Sequence, residues 1–594
     1  MAAYCPRCDS EDCKCGWLAE LESQLEATVG PAPDVDDLVA QVASAEGPEA
    51  ISDVLARYEP PSDPIARATA RERLLAALTG KLKSPAGMVD AWLRRSPEKE
   101  ASLDREEASA MVKLVLERAE LFHTPDSEAY ASIEFDGHRE NHRIRGRRFK
   151  QWTMKLYFDA YQSEGDSDLG LLANLFGGSK KGGPVPGAQA VRDAVATLEG
   201  LAVFQGDELD IFVRIAEFGE HVFLDLANET WEAIEITTTG WQVVSGPPVK
   251  FVRPEGMRPL PTPVKGGALD QLRRFVNVED AAWPLIAGFI AGMVRPRGPY
   301  IILNLLGEQG SAKSTAAKYI RRVVDPATPI HRTRPRNEHD LVIGAARSWI
   351  LSFDNLSGLP DWFSDALCRL ATGGGYGARM LYSDDDEKLF DAQRPIILNG
   401  IEELATRGDL LDRSILVTLP VLDGVRRERE LDEEFDAAHP GILGAVLDAV
   451  VVALDGSDKV EFEDKVRMAD AAAWMVAAEE ALGLESGSFM DAYRENRAEA
   501  VALTLEASKV AAELLSFMDR KQEWTATATE LLEALNLRAS EETRRAKEWP
   551  KSGRGLSGKL RRLAPALRRS GLHLEFDREG HERSRTVRIV KAAP

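Results

Sequence analysis

The chain has 594 residues, 44% of them hydrophobic, and a net charge of -22, enough sequence for three or four domains of about 100 to 200 residues each. No uninterrupted apolar stretch approaches the ~20 residues that cross a bilayer, and the opening MAAYCPRCDS lacks the basic and apolar regions of a secretory signal. A cytoplasmic protein with no membrane partner is therefore expected, and disulfides are disfavoured. The acidic total excludes a surface coated throughout in nucleic acid, yet cations concentrate between Lys551 and Lys591.

Taken in chain order, Cys5, Cys8, Cys13 and Cys15 fall together in CPRCDSEDCKC. A CxxC turn and two further thiolates are a tetrahedral zinc set, and so short a segment (residues 1–30) orders only around such a crosslink. The second pair is CxC where CxxC is usual, and the other reading is a reduced tail without metal. Cys368 stands alone in a helical pattern and reads as core. Helical periodicity runs over residues 37–118, broken at Pro60 and Pro61.

Over residues 129–252 the texture changes to alternating strands (IFVRIAEF, HVFLDLA, EAIEITTTGWQVV) around one amphipathic helix near Ala188 to Leu198, which predicts an α+β domain. Asp136, His138 and His142 in FDGHRENH would suit a metal, but no second carboxylate motif accompanies them, and a polar surface loop is the preferred reading. The Pro-rich stretch Arg253 to Gly267 reads as a linker, followed by a helical segment over 266–298.

At Pro299 begins YIILNLLGEQGSAKSTAAKYIRRVV, in the strand, Gly-containing loop and helix order of a phosphate-binding loop. Gly307, Glu308, Gln309, Gly310, Ser311, Ala312, Lys313, Ser314 and Thr315 would form it. The glycines admit backbone amides to the phosphates, Lys313 reaches the β and γ oxygens, and Ser314 holds Mg²⁺. Ala312 replaces the second Gly of the usual GxxxxGK[ST], at roughly 1 kcal/mol if its φ is positive. WILSFDNLS predicts a buried strand ending at Asp354, a second Mg²⁺ ligand through water. PIILNG predicts another, ending at Asn399, which would orient the attacking water or sense the γ-phosphate. DLLDRSILVTLP sets Arg413 before a further strand, with Arg407 close by, and either is a finger residue for a neighbouring subunit.

The stretch from Leu305 to Pro420, above all LCRLATGGGYGARMLYSDDDEKLFDAQRPIILNG, resembles the superfamily 3 helicases of the AAA+ class, in particular the primase-helicases of phages and large DNA viruses. It covers about a fifth of the chain. The resemblance implies an ATPase core over residues 299–431 in a hexameric ring, with ATP and Mg²⁺ at subunit interfaces. It also implies a hairpin facing DNA, where Arg379 and Lys388 are the cations. Two departures are plain. Asn355 follows Asp354 where the family carries an acidic residue, with Asp361 a substitute base, and the hairpin tip Ser383 to Glu387 is acidic.

After a helical region over 432–514, residues 515–594 read as helix, helix, strand, turn, strand, the order of a winged helix. Lys559, Arg561, Arg562, Arg568 and Arg569 would face a DNA groove, with Arg578, Arg583 and Arg585 on the wing; a solvated basic helix or protein-docking module is the other reading. The expected fold class is multidomain α/β, an AAA+ P-loop core with helical and α+β amino-terminal regions and a carboxy-terminal winged helix. The expected function is an ATP-dependent DNA helicase or translocase of phage-type replication. The alternatives are an AAA+ initiator or loader that assembles on DNA without unwinding, a primase-helicase, and a scaffold that keeps nucleotide for its fold. A separate primase is a further expected partner.

Overall fold

A computed structural model describes residues 35–58, 60–61, 64–82, 85–94, 97–162, 185–379, 387–390, 392–400, 408–424, 426–463, 465–579 and 584–592. The chain divides into two compact units, one of residues 1–119 and 144–204, the other of residues 120–143 and 205–594. The strand-rich region expected as one domain over 129–252 is thus shared between the two.

The first unit is helical: α1 (Val35–Ser44), α2 (Pro48–Ala56), α3 (Pro64–Leu78), α4 (Pro85–Arg94), α5 (Pro97–Leu116), α6 (Arg147–Gln162) and α7 (Ala188–Gln205). Four of these begin at a proline, whose fixed φ and missing N–H cost nothing in the first turn. Leu38, Val42, Ile51, Leu74 and Trp92 join α1 to α4 in one core. Met111, Tyr157 and Ala194 join α5 to α7 in another.

The second unit opens with β1 (Ala119–His123), β2 (Ala129–Phe135), β3 (His138–Arg143) and β4 (Asp207–Glu208), in the order β3-β2-β1-β4. Asp136 and Gly137 both take positive φ at the β2-β3 turn, the two-residue hairpin geometry that Asp-Gly favours. The short β5 (Ile211–Phe212) pairs with β10 (Lys250–Phe251) around an antiparallel meander, β6 (Ile215–Phe218), β7 (His221–Asp225), β8 (Glu232–Thr237) and β9 (Gly240–Ser245). Alternate residues of the meander go to different cores, as a period of two dictates. Phe223 and Ala233 pack under Phe251, whereas Val222, Leu224, Ile234, Ile236 and Trp241 enter the large core of the unit.

That core also holds α8 (Trp283–Gly292) and the parallel sheet of β11 (Ile302–Leu306), β12 (Leu351–Leu356), β15 (Ile396–Gly400) and β16 (Ser414–Thr418), ordered β12-β15-β11-β16. A hairpin of β13 (Tyr376–Arg379) and β14 (Glu387–Phe390) precedes β15. Both sheet faces are covered, as parallel sheets require. Leu303, Leu305, Ile397 and Val417 pack on the side of α9 (Lys313–Val324). Ile302, Phe353 and Leu398 pack against α10 (Glu338–Ala346) and α11 (Asp361–Thr372), where Cys368 is buried.

After α12 (Gly408–Leu411), the long α13 (Glu428–Gly456) crosses the core and is followed by α14 (Ala469–Ala478) and α15 (Ser488–Ala507). Glu428–Lys459 has the length and apolar composition to cross a membrane. Here it is a core helix, with Ile442, Leu443, Val446, Leu447 and Val450 buried.

The Pro-rich stretch 253–267 is not the spacer that its composition suggests. Leu260 is buried, the Leu260 N–H donates to the Leu226 carbonyl at 2.8 Å, and the Val264 N–H to the Pro440 carbonyl at 2.9 Å. A Cβ at Gly444 of α13 would stand 1.9 Å from the Val264 carbonyl, so glycine there admits the strap. Proline rigidity suits a strap as well as a linker, and burial decides between them.

The C-terminal module comprises α16 (Lys509–Met518), β17 (Glu523–Thr527), α17 (Ala528–Arg538), α18 (Glu541–Arg545), α19 (Gly553–Arg569), β18 (Leu572–Glu579) and β19 (Ser584–Lys591), with sheet order β17-β19-β18. Thr527 and Glu530 cap α17 reciprocally. Leu514, Leu531, Leu535, Leu556, Leu560 and Ile589 form the module's own core.

Candidate functional site

The loop between β11 and α9 takes three left-handed steps, at Gly307 (φ 138), Gly310 (φ 89) and Ala312 (φ 60). Ala312 therefore carries the strain expected where the usual pattern has glycine. Gly307 is fixed by space as well, because a Cβ would lie 2.6 Å from the Leu419 carbonyl and 2.8 Å from Ser311 Oγ. Lys313 Nζ folds back over the loop and donates to the carbonyls of Gly307 (2.7 Å) and Glu308 (2.6 Å) and to Ser311 Oγ at 3.3 Å. The open N–H groups of the first turn of α9 complete an anion-binding end.

Ser314, in that first turn, donates from Oγ to Asp354 Oδ1 at 2.7 Å. β12 lies beyond β15 from β11, and alternation turns Ser352 and Asp354 to the α9 side, where the first turn of α9 meets them. The next residue, Asn355, has φ 52, a conformation Asn tolerates. Its N–H donates to Asn399 Oδ1 at 2.8 Å. Asn399 is 1% exposed, and its Nδ2 has no partner among the described residues. A buried amide without an acceptor costs about 1 to 3 kcal/mol, so this donor fits a ligand group. Asp361 begins α11 on the surface.

Arg413 lies elsewhere. Ser414 pairs with Ile302 and Thr418 with Leu306, so Arg413 stands at the N-terminal end of the sheet and the glycine-bearing loop at its C-terminal end. At about 3.3 Å per residue the separation is roughly 15 Å. Its guanidinium donates to the Asp409 carbonyl at 2.8 Å. Arg407, the tip Ser383 to Asp386 and the four clustered cysteines Cys5, Cys8, Cys13 and Cys15 lie outside the described residues. Of the hairpin cations, Arg379 pairs in register with Glu387 and Lys388 with Ala378.

Of the C-terminal cations, Arg569 Nη1 meets Asp412 Oδ1 at 3.1 Å, a carboxylate it shares with Arg497. Arg561 stacks over the Phe576 ring, 4.1 Å from its centroid, and Lys559 donates to the Glu548 carbonyl. Arg562 Nε donates to the Gly558 carbonyl of its own helix, at 3.4 Å, and Arg568 is exposed. Residues Arg578 and Arg585 are backbone partners in the register of β18 and β19, and Arg583 is outside the described residues.

Three features escape sequence reasoning because their partners are remote. His331 reaches back to Ser314 and forward to Ser352. Asp325, at the end of α9, accepts from Arg214 Nε at 3.1 Å, Arg321 Nη2 at 3.3 Å and the Ile350 N–H at 3.1 Å. This knot joins the meander to the sheet through side chains that are almost wholly buried. Lys318 and Arg322 on α9 are neutralised by Glu428, Asp432 and Asp436. Burial pushes the Asp432 carboxyl up, but its hydrogen bonds and charge contacts with Lys318, Tyr319 and Arg322 outweigh this and hold it below the usual range.

Residues 269–500 match the family described as Actinomycete integrative conjugative element replication protein. Residues 510–594 match the AICE RepA C-terminal domain. The first match begins ahead of α8 and the second takes in the C-terminal module. Among solved structures, the A form apo structure of the NrS-1 C terminal region is 10% identical, with TM-score 0.35, covering 81% of this chain and 99% of that one. The apo structure of the NrS-1 C terminal region (305-718) is 10% identical, with TM-score 0.34 and coverage of 81% and 98%. A ligand-bound JCV helicase is 12% identical, with TM-score 0.19 and coverage of 39% and 70%. No curated protein sequence matches the chain.

Proposed function

We propose that the chain is an ATP-driven DNA helicase or translocase of replication, hydrolysing ATP at the interfaces of a ring. The observation that carries this reading is the 2.7 Å pair between Ser314 Oγ and Asp354 Oδ1 at the mouth of a glycine-bearing loop, and the replication-family matches support the setting. Mg²⁺ would neutralise phosphate charge, and Ser314 and Asp354 would hold it. Lys313 would exchange its loop carbonyls for phosphate oxygens. Asn399 Nδ2, buried and free of an acceptor among the described residues, would donate to the γ-phosphate or the attacking water. Arg413 stands too far from its own loop to serve it, so its role is to reach a neighbouring subunit's site. The C-terminal module is read as a winged helix whose exposed cations, Arg562 and Arg568 first, contact DNA phosphate.

One observation favours a second reading, an initiator or loader that binds ATP and assembles on DNA without unwinding it: the exposed Asn355 offers an amide where hydrolysis calls for a base. Strand displacement on a forked duplex with ATP separates the two. The motor reading expects displacement that Lys313→Ala abolishes. ATP-dependent assembly on the fork with no displacement would overturn it in favour of the loader.

A further inference from the structure

The segment that leaves α9 returns along the free edge of β12. The Arg332 N–H donates to the Ser352 carbonyl at 2.8 Å, and the Asp354 N–H to the Arg332 carbonyl at 3.1 Å. This single parallel bridge between Arg332 and Phe353 sets residue 331 beside Ser352, on the sheet face that carries Asp354. From there the His331 ring spans two elements. Its Nδ1 is 2.9 Å from Ser352 Oγ, and its Nε2 is 3.0 Å from the Ser314 carbonyl. A carbonyl only accepts, so Nε2 carries the hydrogen and Nδ1 accepts from the Ser352 hydroxyl. One imidazole thereby ties the first turn of α9 to β12, the two elements that present Ser314 Oγ and Asp354 Oδ1.

We infer that His331 is a positioning residue that sets the separation of Ser314 and Asp354, and so the affinity of the site for the Mg²⁺ that accompanies nucleotide. The inference rests on the nucleotide-site reading above and adds a residue that touches neither phosphate nor metal. The mechanics are simple. The Ser314 side chain is carried on a helix end and Asp354 on the sheet's edge strand, and two oxygens that share a cation must be held within about 0.5 Å. The only described side chain hydrogen-bonded to both elements, apart from the pair itself, is His331. Groups that orient metal-holding residues typically cost 10- to 100-fold in metal affinity when removed.

The test titrates Mg²⁺ against binding of a fluorescent ATP analogue to the full chain, with thermal melting of each variant as a control for folding. His331→Ala is expected to raise the half-saturating Mg²⁺ concentration about 10-fold, with nucleotide binding restored at high Mg²⁺. Ser352→Ala, which frees the ring to rotate, is expected to give a smaller rise in the same direction. His331→Gln, whose amide can donate to the Ser314 carbonyl, is expected to recover part of the loss. Should His331→Ala fail to fold, Ser352→Ala and His331→Gln carry the test. Wild-type binding with an unchanged Mg²⁺ requirement in folded His331 and Ser352 variants would overturn the positioning role alone. Absence of Mg²⁺-dependent binding in the wild type would overturn the nucleotide site itself.

Discussion

Asp325→Ala removes the one carboxylate shared by two buried guanidinium groups. Arg214 is 0% and Arg321 1% exposed, and burial already pushes the Arg321 guanidinium below its usual value, with Asp325 opposing the shift. Neither arginine can shed its proton in compensation. Losing one partner of a buried ion pair costs about 3 to 5 kcal/mol. Arg214 keeps its bonds to the carbonyls of Asp225 (2.9 Å) and Arg258 (2.7 Å), which places the expected loss at the lower end, about 3 kcal/mol. Asp325→Asn keeps the shape and an acceptor but gives up the charge, and a loss of about 2 kcal/mol is expected. Urea unfolding followed by tryptophan fluorescence reads the right core, because Trp241, Trp283, Trp349 and Trp474 all lie in it. A loss under about 1 kcal/mol for Asp325→Ala would mean instead that the arginines find water or other acceptors at no cost, and that the knot does not hold the core.

Burial also lowers the pKa of His439, from 6.5 to about 4. Its ring packs against Phe435, and Nε2 donates to the Val323 carbonyl at 3.1 Å. Between those two values the unfolded chain binds a proton that the folded chain does not. The neutral ring's contribution is therefore full above pH 6.5 and is lost as the pH falls towards 4, by about 3 kcal/mol. His439→Gln should flatten that part of the stability profile relative to wild type, and parallel profiles would contradict this. On the C-terminal module, Arg568→Ala should reduce the slope of log binding constant against log salt for duplex DNA by about 0.9. Arg569→Ala should change it much less, because Asp412 already engages that side chain; equal reductions would place both on phosphate.

Local order made much of the site legible. A strand, a Gly-bearing loop and a helix, then strands ending in Asp354 and Asn399, are patterns of neighbouring residues, and a parallel sheet has few ways to arrange them. The composition of 253–267 misled because proline signals rigidity, and only the contacts with Gly441 and Gly444 of α13 distinguish a buried strap from a spacer. The meander over 215–245 read correctly as strands, but nothing in its alternation says that one face packs on α13, where Trp241 Nε1 donates to Asp448 Oδ1 across 207 residues of sequence. His331 and Asp325 were invisible for the same reason: a lone polar residue after a helix gains meaning from partners that the fold supplies. Arg413, read from its sequence as a finger for a neighbouring subunit, stands at the opposite end of the sheet from its own loop, a placement that no local pattern gives.

A motor needs Lys313, Ser314 and Asp354 to form a working ATP site coupled to DNA. That requirement is tested most directly by ATP turnover of the purified protein with and without single-stranded DNA, comparing wild type with Lys313→Ala and Asn355→Glu. Turnover that DNA stimulates and that Lys313→Ala abolishes is expected. A wild type that binds ATP without turning it over, while Asn355→Glu gains turnover, would contradict the motor and point to a nucleotide-gated assembly protein.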